Sequence, residues 1–210
     1  MPRAPTLLQS DYPYNIGGRC VNREWFGLPL EAVWEIMSEQ LYYIHHAYDV
    51  KIHSFVLMSN HFHLMLNTPK ANLSEAMQRF MRESARNISK PASRINYVFG
   101  GPYFRTMIGS NHYYLHTYKY NYANPVKAKV CARAEDYPFS TLHGLLGRRR
   151  LIIPIEEDQT LFSNLEGTLE WINSEPPEED WQAVRKALRR REFTLGKVDK
   201  AAHPLEINAL

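Results

Sequence analysis

"VLMSNHFHLML" occupies residues 56–66 and sets two histidines, His61 and His63, one residue apart in an otherwise apolar run. In a β-strand alternate side chains share a face, so His61, His63 and Met65 look one way and Phe62, Leu64 and Leu66 the other. One face is then built for a core, while the other carries two imidazoles a few ångström apart. Such a pair can chelate one metal ion, or it can be two half-buried histidines with ordinary hydrogen-bond partners. Nine histidines in 210 residues produce a chance H-x-H about 0.4 times, so the pair alone decides nothing.

Outward from this stretch the pattern is regular. Upstream, "VKIHSFVLM" reads as a strand joined to "HFHLMLN" by a turn at Ser59-Asn60. Before it, "PLEAVWEIMSEQLYYIHHA" places Leu30, Val33, Trp34, Met37, Leu41 and Ile44 at helical spacing, with Pro29 in a first-turn position. Residues 12–26, "YPYNIGGRCVNREWF", read as a strand whose Gly-Gly pair marks a bulge. Downstream, "NLSEAMQRFMRESARNIS" is a helix capped by Asn72, with Glu75 three residues on and an apolar stripe through Leu73, Ala76, Met77, Phe80, Met81 and Ile88. "PASRINYVFGGPYFRTMIG" reads as a loop with a short strand pair. "NHYYLHTYKYNYANPVKAKVC" reads as a helix capped by Asn111 and interrupted near Asn124-Pro125. Strand, helix, strand, strand, helix, strand, helix is an α+β order, an antiparallel sheet with helices packed on it.

Composition bounds the rest. A chain with 44% hydrophobic and 22% charged residues is that of a soluble globular protein, with no apolar run near the roughly 18 residues that cross a bilayer. The start, "MPRAPTLLQSDYPYN", lacks the pattern of a signal peptide. Cys20 and Cys131 alone make neither a disulfide framework nor a four-cysteine zinc site, and a reducing cytoplasm is expected. Net charge is only +3, but Arg79, Arg82, Arg86, Lys90 and Arg94 recur through the middle, and "GRRR" (147–150) and "VRKALRRREF" (184–193) follow. Basic stretches among thirteen tyrosines suit single-stranded nucleic acid; each run taken singly also fits a solvated helix face. Composition shifts near residue 146, through the acidic "IEEDQ" and "NSEPPEED" to the basic "DWQAVRKALRRREF". Residues 1–145 are expected to form the main domain and 146–210 a basic C-terminal helical extension, wrapped on the core with a loose end.

A second constellation lies in "YKYNYANPVKA". Tyr120 and Asn124 are four apart and share a helix face, while Tyr118 and Tyr122 lie about 200° round from Tyr120. Asn124 offers a carbonyl oxygen and Tyr120 a phenol. The structural alternatives are a core aromatic for Tyr120 and, for Asn124, the cap of a helix starting at Pro125.

Taken together, "VLMSNHFHLML" and "YNYANPVKA" resemble the His-hydrophobic-His signature and the tyrosine helix of the single-tyrosine HUH transposases. The Tyr-x-x-x-Asn-Pro pattern is similar to the branch of REP-associated tyrosine transposases, relatives of the IS200-like enzymes; "NREWF", "GGPYFR" and "DYPFSTLHG" fit in order. The resemblance spans about residues 10–145. It implies a ferredoxin-like antiparallel sheet with packed helices, the HUH endonuclease fold. It also implies His61, His63 and Asn124 as ligands of a divalent metal, Mg or Mn, and Tyr120 as nucleophile. The activity implied is cleavage and strand transfer of single-stranded DNA through a 5′-phosphotyrosine, on DNA that contains hairpins. Arg79, Arg82, Arg86 and, in "GGPYFR", Arg105 form the expected DNA-binding set, with the tail "RKALRRREF" either a second phosphate clamp or a segment folded over the site. The oligomeric state stays open between monomer and homodimer. Two rivals are a DNA-binding protein without activity and a zinc-dependent hydrolase completed by His45, His46 or His53.

Overall fold

The computed structural model describes residues 8–197 and 201–206. Four strands, β1 (Tyr14–Arg19), β2 (Lys51–Leu57), β3 (His61–Asn67) and β4 (Phe104–Met107), form one sheet in the order β2-β3-β1-β4. Every neighbouring pair is antiparallel. With α1 (Leu30–Tyr48) between β1 and β2, and α2 (Leu73–Ser89) between β3 and β4, this is the ferredoxin-like arrangement. The histidine strand β3 is central.

The period-two pattern of β3 decides what covers each face. Phe62, Leu64 and Leu66 join Tyr14, Ile16, Phe55 and Leu57 under α1 and α2 in the main core. α1 supplies Val33, Trp34, Met37, Leu41 and Ile44, and α2 supplies Leu73, Ala76, Met77, Phe80 and Ile88. The opposite face receives α3 (Asn111–Lys127), whose Tyr118 and Tyr122 pack with Val56, Met58 and Met65.

Several local expectations are corrected. The Gly17-Gly18 pair is no bulge, since β1 runs in unbroken register against β3 from Tyr14↔Leu66 to Arg19↔His61. The irregularity lies in β2 between Ile52 and Ser54. Asn72 stands at the start of α2, but its side chain does not cap that helix; its amide donates to the Tyr48 carbonyl at 2.9 Å and ties down the end of α1. Ser110, not Asn111, caps α3, its hydroxyl accepting from the Tyr113 amide. That helix runs through Asn124-Pro125 to Lys127. Proline forfeits one backbone bond there, a cost held down because the helix ends two residues later. Residues 91–109 provide one strand and an isolated Cys20↔Phe99 bridge instead of a strand pair.

Beyond α3 come α4 (Thr141–Leu145), α5 (Gln159–Phe162), α6 (Leu165–Asn173) and α7 (Glu178–Ala187). This segment seals both sheet edges, where unpaired backbone would otherwise invite association. At β2 the Glu156 amide donates to the Ile52 carbonyl at 2.9 Å, and at β4 the Met107 amide donates to the Arg191 carbonyl at 2.8 Å. Trp181, Val184, Ala187, Leu188, Phe193 and Leu205 then share a hydrophobic cluster with Tyr120 and Ala123 of α3. The loose end expected from the sequence is tied down as far as residue 206, where Leu205 is buried with its carbonyl against His116 and Glu206 accepts from the Tyr113 hydroxyl. Residues 1–7, at the start expected to be leaderless, and residues 198–200 and 207–210 lie outside the described residues. Among those described, no helix is long and apolar enough to cross a membrane.

Candidate active site

β3 and α3 bring the two sequence constellations together. His61 and His63 stand on one strand face with ring centroids 5.2 Å apart, and the His63 and Tyr120 rings meet nearly perpendicular at 5.8 Å. Tyr120 and Asn124 stand one turn apart on α3, and the Asn124 side chain is among the groups that lower the Tyr120 phenol. All four line one cavity of about 660 Å³, together with Arg19, Arg23, Trp181, Arg185 and Arg189.

The imidazoles are set up as neutral donors. Burial pushes His61 down to about 4, with the Arg19 charge adding to the effect. Burial, then His61 and Arg19, hold His63 well below the ordinary histidine value. His61 Nδ1 lies 2.8 Å from the Asn60 side-chain oxygen, which fixes the proton on Nδ1 and leaves Nε2 with a lone pair. His63 Nε2 is buried with no hydrogen-bond partner. A buried polar atom left this way costs free energy unless something binds it. Two neutral imidazoles and an amide carbonyl on Asn124 suit a divalent cation without selecting one firmly.

Tyr120 is 7% exposed. Burial raises its phenol above the ordinary tyrosine value, and Arg185, Arg189, Arg19 and the Asn124 side chain pull it back down. Its ring makes a near-perpendicular contact with His63, and the indole of Trp181 stacks on it at 4.5 Å and 28°. α7 is held in that position by Lys127, which pairs with Glu178 at 2.8 Å and Glu175 at 3.5 Å.

The expected arginines are not brought to this cavity. Arg79, Arg82 and Arg86 lie on α2, across the sheet, and all three pair with the Glu83 carboxylate at 3.3, 3.0 and 2.8 Å. Their spacing forms a charge cluster around a buried acid, which a count of basic residues cannot reveal. Arg105 lies in the β4 position paired with Ile16, on the core-facing side, with its guanidinium 5.9 Å from the Tyr103 ring. The cavity's own cations come from "GGRCVNR", from Lys127 at the end of α3 and from the tail. Of the two options for the tail, the structure has it folded over the site, with Arg185 and Arg189 lining the cavity. His45, His46 and His53 lie away from it. His45 meets the Val50 carbonyl at 2.8 Å, and His53 meets Asn67 at 3.0 Å. Among the described residues no three His, Cys, Asp or Glu side chains form a metal cluster, so the hydrolase alternative lacks the ligand it needs.

Comparison with known proteins bears on the fold and on residues 29–126. Residues 29–126 match the family model described as "Transposase IS200 like". A solved REP-associated tyrosine transposase bound to a REP hairpin is similar in fold, with a TM-score of 0.59 at 19% identity, covering 75% of this chain and 93% of that one. A candidate transposase from Deinococcus radiodurans R1 aligns at a TM-score of 0.40 and 16% identity, over 57% of this chain and 95% of the other. No curated protein matches the sequence. From α1 to the tyrosine helix the chain is thus similar to the IS200-like transposases, on a fold shared with a solved REP-associated tyrosine transposase.

Proposed function

We propose that this protein is a single-tyrosine transposase, which cuts and rejoins single-stranded DNA through a covalent 5′-phosphotyrosine on Tyr120, on DNA carrying a hairpin. The observation that carries the proposal is the convergence of Tyr120, Asn124, His61 and His63 in one cavity rimmed by four arginines. In the step, the Tyr120 phenolic oxygen attacks phosphorus, the bond from phosphorus to the 3′ oxygen breaks, and the phenol proton is lost as a 3′-hydroxyl forms. One phosphodiester replaces another, so rejoining needs no external energy source.

An unperturbed phenol is mostly protonated at neutral pH, and burial of Tyr120 makes its ionisation harder. Arg19, Arg185 and Arg189 offset this by stabilising the phenolate and the phosphate that approaches it. Asn124 contributes to the same lowering of the phenol. His61, His63 and Asn124 would hold a divalent cation, Mg or Mn, and the orphaned Nε2 of His63 is the atom that best fits such a role. When bound, the cation would polarise a non-bridging phosphate oxygen and offset developing negative charge. Residues 8–145 are read as the catalytic unit and the later segment as a lid that contributes two of its arginines.

Binding of a REP hairpin by a similarly folded protein supports a hairpin with a single-stranded flank as substrate, cut within the flank. The test is incubation of the protein with single-stranded DNA from the flanks of its own gene, with Mg²⁺ or Mn²⁺. A covalent protein–DNA adduct stable to denaturation is expected. Its absence with every flank and either metal would overturn the proposal.

A further inference from the structure

The Gly17-Gly18 pair makes no bulge, and its two glycines have separate roles. Gly18 faces the main core, where an added Cβ would lie 2.4 Å from the Phe62 ring. No side chain fits there. Gly17 faces the cavity, and an added Cβ would meet only the Phe62 carbonyl oxygen, at 3.4 Å. Packing therefore does not require glycine at position 17.

Across the sheet, Gly17 lies opposite His63 on β3 and opposite Phe104 on β4. One row on this face thus reads His63, bare backbone, Phe104. The α-carbons of the flanking residues are about 10 Å apart, two strand spacings, with a ring standing on each side of a floor that has no side chain. The next row, Met65, Asn15 and Thr106, is closed over: Asn121 donates to Asn15 at 2.9 Å, and the Thr106 hydroxyl donates to the Leu188 carbonyl at 2.7 Å. The Gly17 row remains open. Phe104 is 63% exposed although it lines the cavity, an unusual position for a phenylalanine.

We infer that the trough over Gly17, between His63 and Phe104, holds one nucleobase of the single strand, stacked on Phe104. The inference rests on the transposase proposal and adds a determinant of where the strand is held. A flat, apolar ring is the occupant that suits an exposed aromatic face and a bare floor. Arg19 and Arg23 at one end, and Arg185 and Arg189 above, supply cations for the phosphates on either side of that base. A peptide or a lipid has no such alternation of ring and anion. A base seated here also fixes the adjoining phosphate near Tyr120, because the trough wall, His63, touches the Tyr120 ring.

The test uses short single-stranded oligonucleotides of mixed sequence, each carrying at one position a fluorescent adenine analogue quenched by stacking. Wild-type protein is expected to quench one position selectively. Phe104→Ala should lose that quenching and bind about tenfold or more weakly, within the range for one stacked base, while Phe104→Tyr restores both. Gly17→Val, which fills the trough without meeting the core, should behave like Phe104→Ala, with circular dichroism confirming its fold. Unchanged quenching and affinity in Phe104→Ala, in a protein that still forms the Tyr120 adduct, would overturn the trough and leave the transposase proposal intact. Failure of the wild type to bind any single strand would overturn both.

Discussion

The indole of Trp181 stacks on the ring of Tyr120 with centroids 4.5 Å apart, joining residues 61 positions distant in the chain. The proposed nucleophile is therefore packed against two elements, the histidine strand and the tail. The ring is fixed by packing, so its oxygen can be removed with little disturbance to the ring.

Tyr120→Phe is accordingly expected to keep the melting temperature within a few degrees and to keep single-strand binding, while the covalent adduct disappears. Gel electrophoresis under denaturing conditions, with labelled DNA, reads the adduct directly. Undiminished cleavage by this variant would remove Tyr120 from the nucleophile's role.

Trp181→Ala tests the other half of the contact. Trp181 is 4% exposed and belongs to the cluster that joins α7 to α3. Removing a buried tryptophan costs about 3–5 kcal/mol, and here that loss falls on the attachment of the tail. Limited proteolysis is expected to cut the variant near α7 faster than the wild type, before the sheet unfolds.

Asn60→Ala is a test of metal binding that leaves both imidazoles in place. Asn60 accepts from His61 Nδ1 and also donates to the Arg23 carbonyl at 2.8 Å. Losing the group that orients a metal-ligating histidine costs about 10–100-fold in affinity. Isothermal titration with Mn²⁺ should show that loss, whereas His61→Ala or His63→Ala should remove measurable binding and metal-dependent cleavage together.

Much of this site is legible in local sequence because its parts are local. His61 and His63 share a face through strand alternation, and Tyr120 and Asn124 share one through helical spacing. What escapes is the outcome of long-range packing. Nothing in the spacing of Arg79, Arg82 and Arg86 shows that α2 packs on the far side of the sheet, or that Glu83 engages all three. A glycine pair looks the same whether it bulges a strand, clears a phenylalanine or floors a trough. Asn124-Pro125 looks like a helix break because proline lacks an amide, but packing of Tyr118, Tyr120 and Tyr122 keeps the turn helical.

Charge placement yields a separable prediction. Arg185 and Arg189 line the cavity, whereas Arg82 and Arg86 share one carboxylate across the sheet. Each phosphate contact to a single strand contributes about 0.7 to the slope of log affinity against log salt. Arg185→Ala with Arg189→Ala should lower that slope by about 1.4, measured by fluorescence anisotropy between low and physiological salt. Arg82→Ala with Arg86→Ala should change it by less than half as much.

The tail's attachment should also respond to acid, through His116. This residue is fully buried on α3, and its Nε2 lies 2.8 Å from the Leu205 carbonyl. Burial holds its imidazole down to about 4; the bond to Leu205 and the charge of Glu206 oppose the shift, while His112 and His203 reinforce it. Ordinary imidazole takes its proton near 6.5. Between those two values the unfolded chain binds a proton that the folded chain refuses, so stability falls as the pH is lowered. The contribution is complete above about pH 6.5 and is lost progressively as the solution approaches about pH 4. Urea midpoints measured across that window should decline with acid. In His116→Phe the curve should start lower at neutral pH, since the Leu205 bond is gone, and run flatter through the window. An equally steep decline in His116→Phe would place the acid sensitivity elsewhere in the molecule.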